Sequence, residues 1–167
     1  SNTIAHYEGL TRFQSIQNNF SLLNRRFLDE LAIVCQREKI SLLPYSPIGG
    51  GVLSGKYNGD KAPDNSRFGD YMAENNPRQA AMASRFVNEG TLASTAKYME
   101  IAKEAGMSPV TLATAWSMNF DFVASTMIGA RTADQLDDSL AALDVTLTDE
   151  IMKQCDEVHS QHLYPMG

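Results

Sequence analysis

The sequence predicts an α/β protein built on a parallel sheet, on two observations. Short β-type runs at Arg12–Gln17, Ile40–Leu43 and Phe122–Ile128 alternate with stretches of helical periodicity. These runs are mostly apolar, as strands buried on both faces are, rather than half-buried strands with one wet face.

The elements follow in order. Arg12–Gln17 alternates apolar and polar residues and reaches Asn18-Asn19, a strand with a polar end. Phe27, Leu28, Leu31, Ala32 and Cys35 recur at helical spacing and predict one amphipathic helix over Arg26–Lys39. Ile40–Leu43 is a short strand stopped by Pro44 and Pro47. Residues 45–76 form a long stretch rich in Gly, Asn, Asp and Pro. It is too long for a plain connector, which makes it a functional loop or a partly disordered one. Helices are expected over Pro77–Val87 and Thr91–Ala105, closed by Gly90 and Gly106. Ser108-Pro109 opens another, with Ser as N-cap and Pro in the first turn, and that helix carries Val110, Leu112, Ala113, Ala115 and Trp116. The Phe122–Ile128 strand ends at Gly129 and leads into a helix from Thr132 with Leu136, Leu140 and Leu143 on one face. A last helix covers about Thr148–His159. No internal repeat or low-complexity segment is present. Three strands leave two unpaired sheet edges, a poor independent fold, so something further is expected to pair with them.

Length and composition fit a single unit, 1–167, with 43% hydrophobic and 20% charged residues. The net charge is −6 and the 14 Lys and Arg residues are scattered, which argues against a nucleic-acid partner. No apolar run is long enough to span a bilayer and no signal-peptide pattern opens the chain, so no membrane partner is expected. Cys35 and Cys155 lie far apart without C-x-x-C spacing and read as buried thiols of a reducing compartment, the cytoplasm. His159 and His162 have metal-ligand spacing, but with no third ligand of fitting spacing they read as solvated or capping histidines, and no metal site is assigned.

Three segments could carry chemistry. In Tyr45–Tyr57, three glycines directly after a strand free the backbone to approach a ligand, and their N–H groups can face an anion. Gly50–Lys56 satisfies seven positions of the P-loop pattern. The eighth is Tyr57, which lacks the small hydroxyl that holds magnesium, and Asn58-Gly59-Asp60 breaks the helix a P-loop requires. A nucleotide triphosphatase is therefore excluded; a flexible surface loop stays open. In Ile128–Ser139, a strand ends in Gly129, Arg131 follows and a helix begins, which is a ready anion site. Thr132 and Gln135 equally match a capping box, with Arg131 then a solvated charge. Gln17-Asn18 places carboxamides at the carboxyl end of a parallel strand, where α/β folds bind ligands.

Taken in order, Gln17-Asn18-Asn19-Phe20-Ser21-Leu22-Leu23-Asn24-Arg25, Tyr45-Ser46-Pro47, Gly51–Tyr57, Ser66-Arg67-Phe68, Ile128–Thr132 with Gln135-Leu136, and Tyr164-Pro165 resemble the aldo-keto reductase family, in its Tas-like and potassium-channel-β-like branch. The resemblance runs from Arg12 to the end of the chain. It implies the C-terminal half of a (β/α)8 TIM barrel, about strands 6–8 with their helices, and NADP(H) as cofactor for reducing a small aldehyde or ketone. By resemblance, Gln17 bonds the nicotinamide carboxamide and Tyr45 stacks on the ring. Ser46, Leu53, Ser54 and Lys56 line the pyrophosphate, Arg67 closes over it from the 45–76 loop, Arg131 takes the 2′-phosphate, and Pro47 and Gly129 are further cofactor-binding residues. Gln135, Asp138 and Ser139 hold the adenosine, Ser139 standing where the family has Asn. Ser1-Asn2 resembles a further carboxamide contact, with the helix between Asn2 and Gln17 cut down or missing.

The family's Asp-Tyr-Lys-His catalytic set is expected in the other half of the barrel, so no catalytic residue is assigned here and this chain alone is expected to be inactive. Tyr45 has stacking as its role, and Tyr7 has no Lys nearby in sequence. The alternative the resemblance allows is a non-catalytic NADP(H)-binding sensor or scaffold of the channel-β type. A homo-oligomer is a further expectation, through pairing of the exposed sheet edges.

Overall fold

The structure is a computed structural model that describes residues 2–73 and 76–166. Strands β1 (Ser15–Asn19) and β2 (Ser41–Tyr45) pair in parallel, in register from Ser15 opposite Ser41 to Asn19 opposite Tyr45. Both therefore end on the same side, placing Asn19 beside Tyr45. Ahead of them stands a short helix α1 (Asn2–Tyr7), the cut-down helix expected from the sequence.

The crossover between β1 and β2 departs from the single helix predicted over residues 26–39. It is a 3-10 turn at Arg26–Leu28 followed by α2 (Leu31–Glu38). The break falls at Glu30, whose backbone (φ −133°) is not helical, and it lets the two pieces bury different faces. Phe27 turns into an aromatic cluster with Phe20 and Phe122, whereas Ala32 and Cys35 bury on α2, which packs on β2. Lys39 closes α2 in the left-handed conformation, its N–H donating to the Cys35 carbonyl.

The third predicted strand is the largest correction. Residues 122–128 run beside β2 but form only a parallel bridge between Leu42 and Val123, and the sheet among the described residues has two strands. Leu42 donates to the Phe122 carbonyl (2.7 Å) and Ala124 donates back to Leu42 (3.0 Å). The next rung would be donated by residue 44, and Pro44 has no N–H. Pairing resumes one residue late, with Met127 donating to the Pro44 carbonyl (2.8 Å).

The helical layer is well capped. Asn76 accepts from Arg78 and Gln79 at the start of α4 (Pro77–Phe86), and Asn88 and Thr91 form a reciprocal capping box on α5 (Glu89–Glu104). Gly90 therefore lies in the first turn of α5 instead of closing α4. Ser108 caps α6 (Pro109–Met118) with Pro109 in the first turn, as predicted, and every residue from Val110 to Ser117 is buried. Helix α7 (Asp134–Leu140) continues as a 3-10 turn, Ala141–Asp144, and α8 (Asp149–Gln161) is capped by Thr148. The predicted Leu136–Leu140–Leu143 face is not the buried one: Ser139 and Ala142 are buried, while Leu140 and Leu143 are 48% and 68% exposed. The packing of α7 on α6, where the Thr111 hydroxyl donates to the Asp138 carbonyl (2.8 Å), selects that other face.

The core centres on Trp116, whose ring lies 4.9 Å from Phe20 and 5.0 Å from Phe120. Arg25 is buried over Trp116 at 4.5 Å and pairs with Asp156 on α8 (2.6 Å), fastening the last helix to the loop after β1. Both cysteines are free and buried, and burial pushes the Cys155 thiol up to about 11, which makes it unreactive. No helix among the described residues is long and apolar enough to cross a membrane, and none of their His, Cys, Asp and Glu groups is clustered to hold a metal ion.

Candidate functional site

Beyond β2 the chain makes a tight turn at Gly49–Ser54 in which Gly50 and Gly51 have φ of 66° and 99°. The glycines act by absence of a side chain. A Cβ on Gly50 would lie 2.9 Å from the Phe68 ring, and one on Gly51 would lie 3.1 Å from Lys56 Nζ. Two of the N–H groups expected to face an anion are used inside the turn, Gly49 donating to the Ser46 carbonyl (2.8 Å) and Gly51 to the Ile48 carbonyl (3.0 Å). The anion-cradle reading of those N–H groups is therefore corrected: the turn brings Lys56 and Phe68 close instead.

The long polar stretch is organised, not a plain loop. It holds helix α3 (Arg67–Ala73), anchored by Phe68, which is fully buried, stacks on Phe86 at 4.9 Å and donates its N–H to the Tyr57 hydroxyl (3.2 Å). Anchoring Phe68 leaves Arg67, Asp70 and Tyr71, at i, i+3 and i+4, on the cavity side of the helix.

The opposite wall is the segment from Ile128 to Arg131 with the start of α7. Arg131 reaches across: its Nη1 donates to the Asn65 carbonyl and its Nη2 lies 3.4 Å from Asp70 Oδ2. The Arg131 N–H donates to Gln135 Oε1 (3.0 Å); the predicted Thr132–Gln135 capping box does not form, since α7 starts after Ala133 without a side-chain cap. Between the walls lies a groove of about 570 Å³. Eight of the predicted residues line it: Ser46, Pro47, Lys56, Arg67, Gly129, Arg131, Gln135 and Ser139. Three cations and one carboxylate face one space, which can hold an anionic ligand with several negative charges.

The other predicted residues stand outside that lining. Gln17 lies in the middle of β1, opposite Leu43, and not at the strand end expected from the sequence; its amide sits on Met127 Sδ (3.4 Å), and Tyr45 is a 41% exposed ring at the end of β2. Leu53 is a core residue, 1% exposed, and the Ser54 hydroxyl is bonded to the Gly51 carbonyl (2.7 Å), so neither side chain reaches the groove. Asp138 is exposed on α7, outside the lining. The Asn2 carboxamide brackets the Phe13 backbone (2.9 and 3.3 Å), tying α1 to the segment just before β1. Ser1 lies outside the described residues. Sequence reasoning missed Asp70 and Tyr71; the i, i+3, i+4 spacing from Arg67 was the available signal.

Gly50→Ala is expected to destabilise the protein by about 1–2 kcal/mol through its left-handed backbone alone, and to loosen α3 by displacing Phe68. A urea midpoint and an anion-binding titration on the same variant would check both. An unchanged midpoint would show that the turn relaxes.

The aldo/keto reductase family profile matches residues 2–160. The chain belongs to the aldo/keto reductase family. It is 35% identical over 162 residues to Protein tas of Escherichia coli K12, covering 97% of this chain and 44% of that protein. It is 31% identical over 121 residues to a probable voltage-gated potassium channel subunit beta of Arabidopsis thaliana, covering 71% and 35%. The glycerol dehydrogenase of Gluconobacter oxydans superposes with a TM-score of 0.71 at 22% identity, covering 95% of this chain and 46% of that one. This aldo/keto reductase chain thus spans under half the length of these relatives and is part of a (β/α)8 barrel.

Proposed function

We propose that the groove grips NADP(H) and that the chain is the cofactor-binding part of a cytoplasmic carbonyl oxidoreductase acting on a small aldehyde or ketone. The observation that carries this reading is that the glycine turn and Arg131, distant in sequence, face one groove lined by Lys56 and Arg67. The donor set fits the cofactor: three cations suit two bridging phosphates and a 2′-phosphate, and the space a Cβ would fill at Gly51 admits Lys56 Nζ. When bound, the nicotinamide supplies hydride to the carbonyl carbon.

In this arrangement Arg131 holds the 2′-phosphate, and Gln135, already bonded to the Arg131 backbone, keeps that segment facing the groove. Lys56 and Arg67 neutralise the pyrophosphate. Tyr45, at the end of β2, and Gln17, in the middle of the adjacent β1, receive the nicotinamide, and Ser139 and Asp138 flank the adenosine. Burial pushes the Tyr98 hydroxyl up to about 12, and the Asp29 hydrogen bond raises Tyr164, the reverse of what a proton donor needs. The proton donor belongs to the complementary part of the barrel.

The full-length protein is expected to quench and saturate with NADPH in a fluorescence titration, and to oxidise it with 4-nitrobenzaldehyde. Binding without turnover would favour a sensor or scaffold of the channel-β type. No NADPH binding at all would sink the proposal.

A further inference from the structure

We infer that Asp70 sets the cofactor preference of this groove by competing with the 2′-phosphate for Arg131. This rests on the NADP(H) reading above. The guanidinium of Arg131 already has two partners on the facing wall, the Asn65 carbonyl and the Asp70 carboxylate. A phosphate dianion at Arg131 must displace that carboxylate or sit beside it, whereas a cofactor with a plain 2′-hydroxyl meets no such opposition.

The competitor cannot simply swing away with its helix. Phe68, two residues before Asp70, is fully buried, and the buried Ser66 hydroxyl accepts from the Gly69 N–H (3.2 Å) while its carbonyl accepts from Asp70 (2.8 Å). A Cβ on Gly69 would meet Ser66 Oγ at 2.6 Å and the Pro63 carbonyl at 2.8 Å, so the backbone at Asp70 is packed down. Only the carboxylate itself is free to turn. Its 3.4 Å distance to Arg131 is longer than a close guanidinium–carboxylate bond, so the pair is loose enough to exchange. A carboxylate in this place also suits a ribose 2′-hydroxyl as hydrogen-bond acceptor, as acidic residues do in other dinucleotide sites. Arg131 and Asp70 then read the two cofactors in opposite senses.

The test is a set of NADPH and NADH dissociation constants, by fluorescence titration of the full-length protein, for wild type, Asp70→Asn, Asp70→Ser, Arg131→Ala and the Asp70→Asn/Arg131→Ala double variant. Both Asp70 variants are expected to tighten NADPH at least fivefold and to leave NADH unchanged or weaker. The gain should shrink in 0.5 M salt, where the charges are screened. It should vanish in the double variant, since the competition needs Arg131. If Asp70→Asn leaves NADPH within twofold, or weakens it, while Arg131→Ala still weakens NADPH, the inference is wrong and the cofactor site stands. If Arg131→Ala leaves NADPH unaffected, both fall. A melting curve for each variant separates misfolding from a binding effect, and the half-buried Asp70 side chain, 39% exposed, leaves room for Ser and Asn there.

Discussion

Replacing Phe20 with Ala is expected to destabilise the protein by about 3–5 kcal/mol, the range for a fully buried aromatic truncated in a packed core. Phe20 is 0% exposed and its ring meets four others: Trp116 at 4.9 Å, Phe120 at 5.1 Å, Phe27 at 6.0 Å and Phe122 at 6.1 Å. The truncation removes edge and face contacts to all four and leaves a cavity that helix α6, buried along its length, cannot collapse to fill. Phe20 also follows Asn19 directly, so the loss reaches the strand end beside Tyr45. Urea denaturation would measure it. A change below about 1 kcal/mol would show that the cluster repacks around the gap.

Arg131→Ala should weaken NADPH by roughly ten- to a hundredfold, corresponding to about 1.5–3 kcal/mol for a hydrogen bond to a charged group. NADH should change little, because it offers nothing for a guanidinium at that place. The lower end of the range is the better expectation. Arg131 is 59% exposed and already shares its charge with Asp70, so part of its attraction is offset before the cofactor arrives. Titration of both cofactors against wild type and variant decides the matter. Equal losses for the two would remove Arg131 from the 2′-phosphate role, and a matching fall in melting temperature would assign it to fastening α3.

Much of this was legible in the chain itself. Ser108-Pro109 announced α6, and the strand and helix alternation announced the parallel pairing of β1 and β2, because caps and apolar periodicity act locally. The failures were tertiary. Leu140 and Leu143 have helical spacing, yet the packing on α6 buries Ser139 and Ala142. The helix over residues 26–39 broke where Phe27 and Ala32 had to face different neighbours. At the site, Arg131 and Lys56 could be named from motifs, whereas Asp70 was marked only by its helical spacing from Arg67. Its pairing with Arg131 is a contact 61 residues away in sequence, which that spacing does not encode.

Pro44 interrupts the ladder between β2 and the segment that follows Phe122. Because it withholds one donor, the neighbouring segment slips by a residue before it rejoins at Met127. The missing rung thus ends regular pairing beside β2, and the segment that leads to Arg131 leaves the sheet from there.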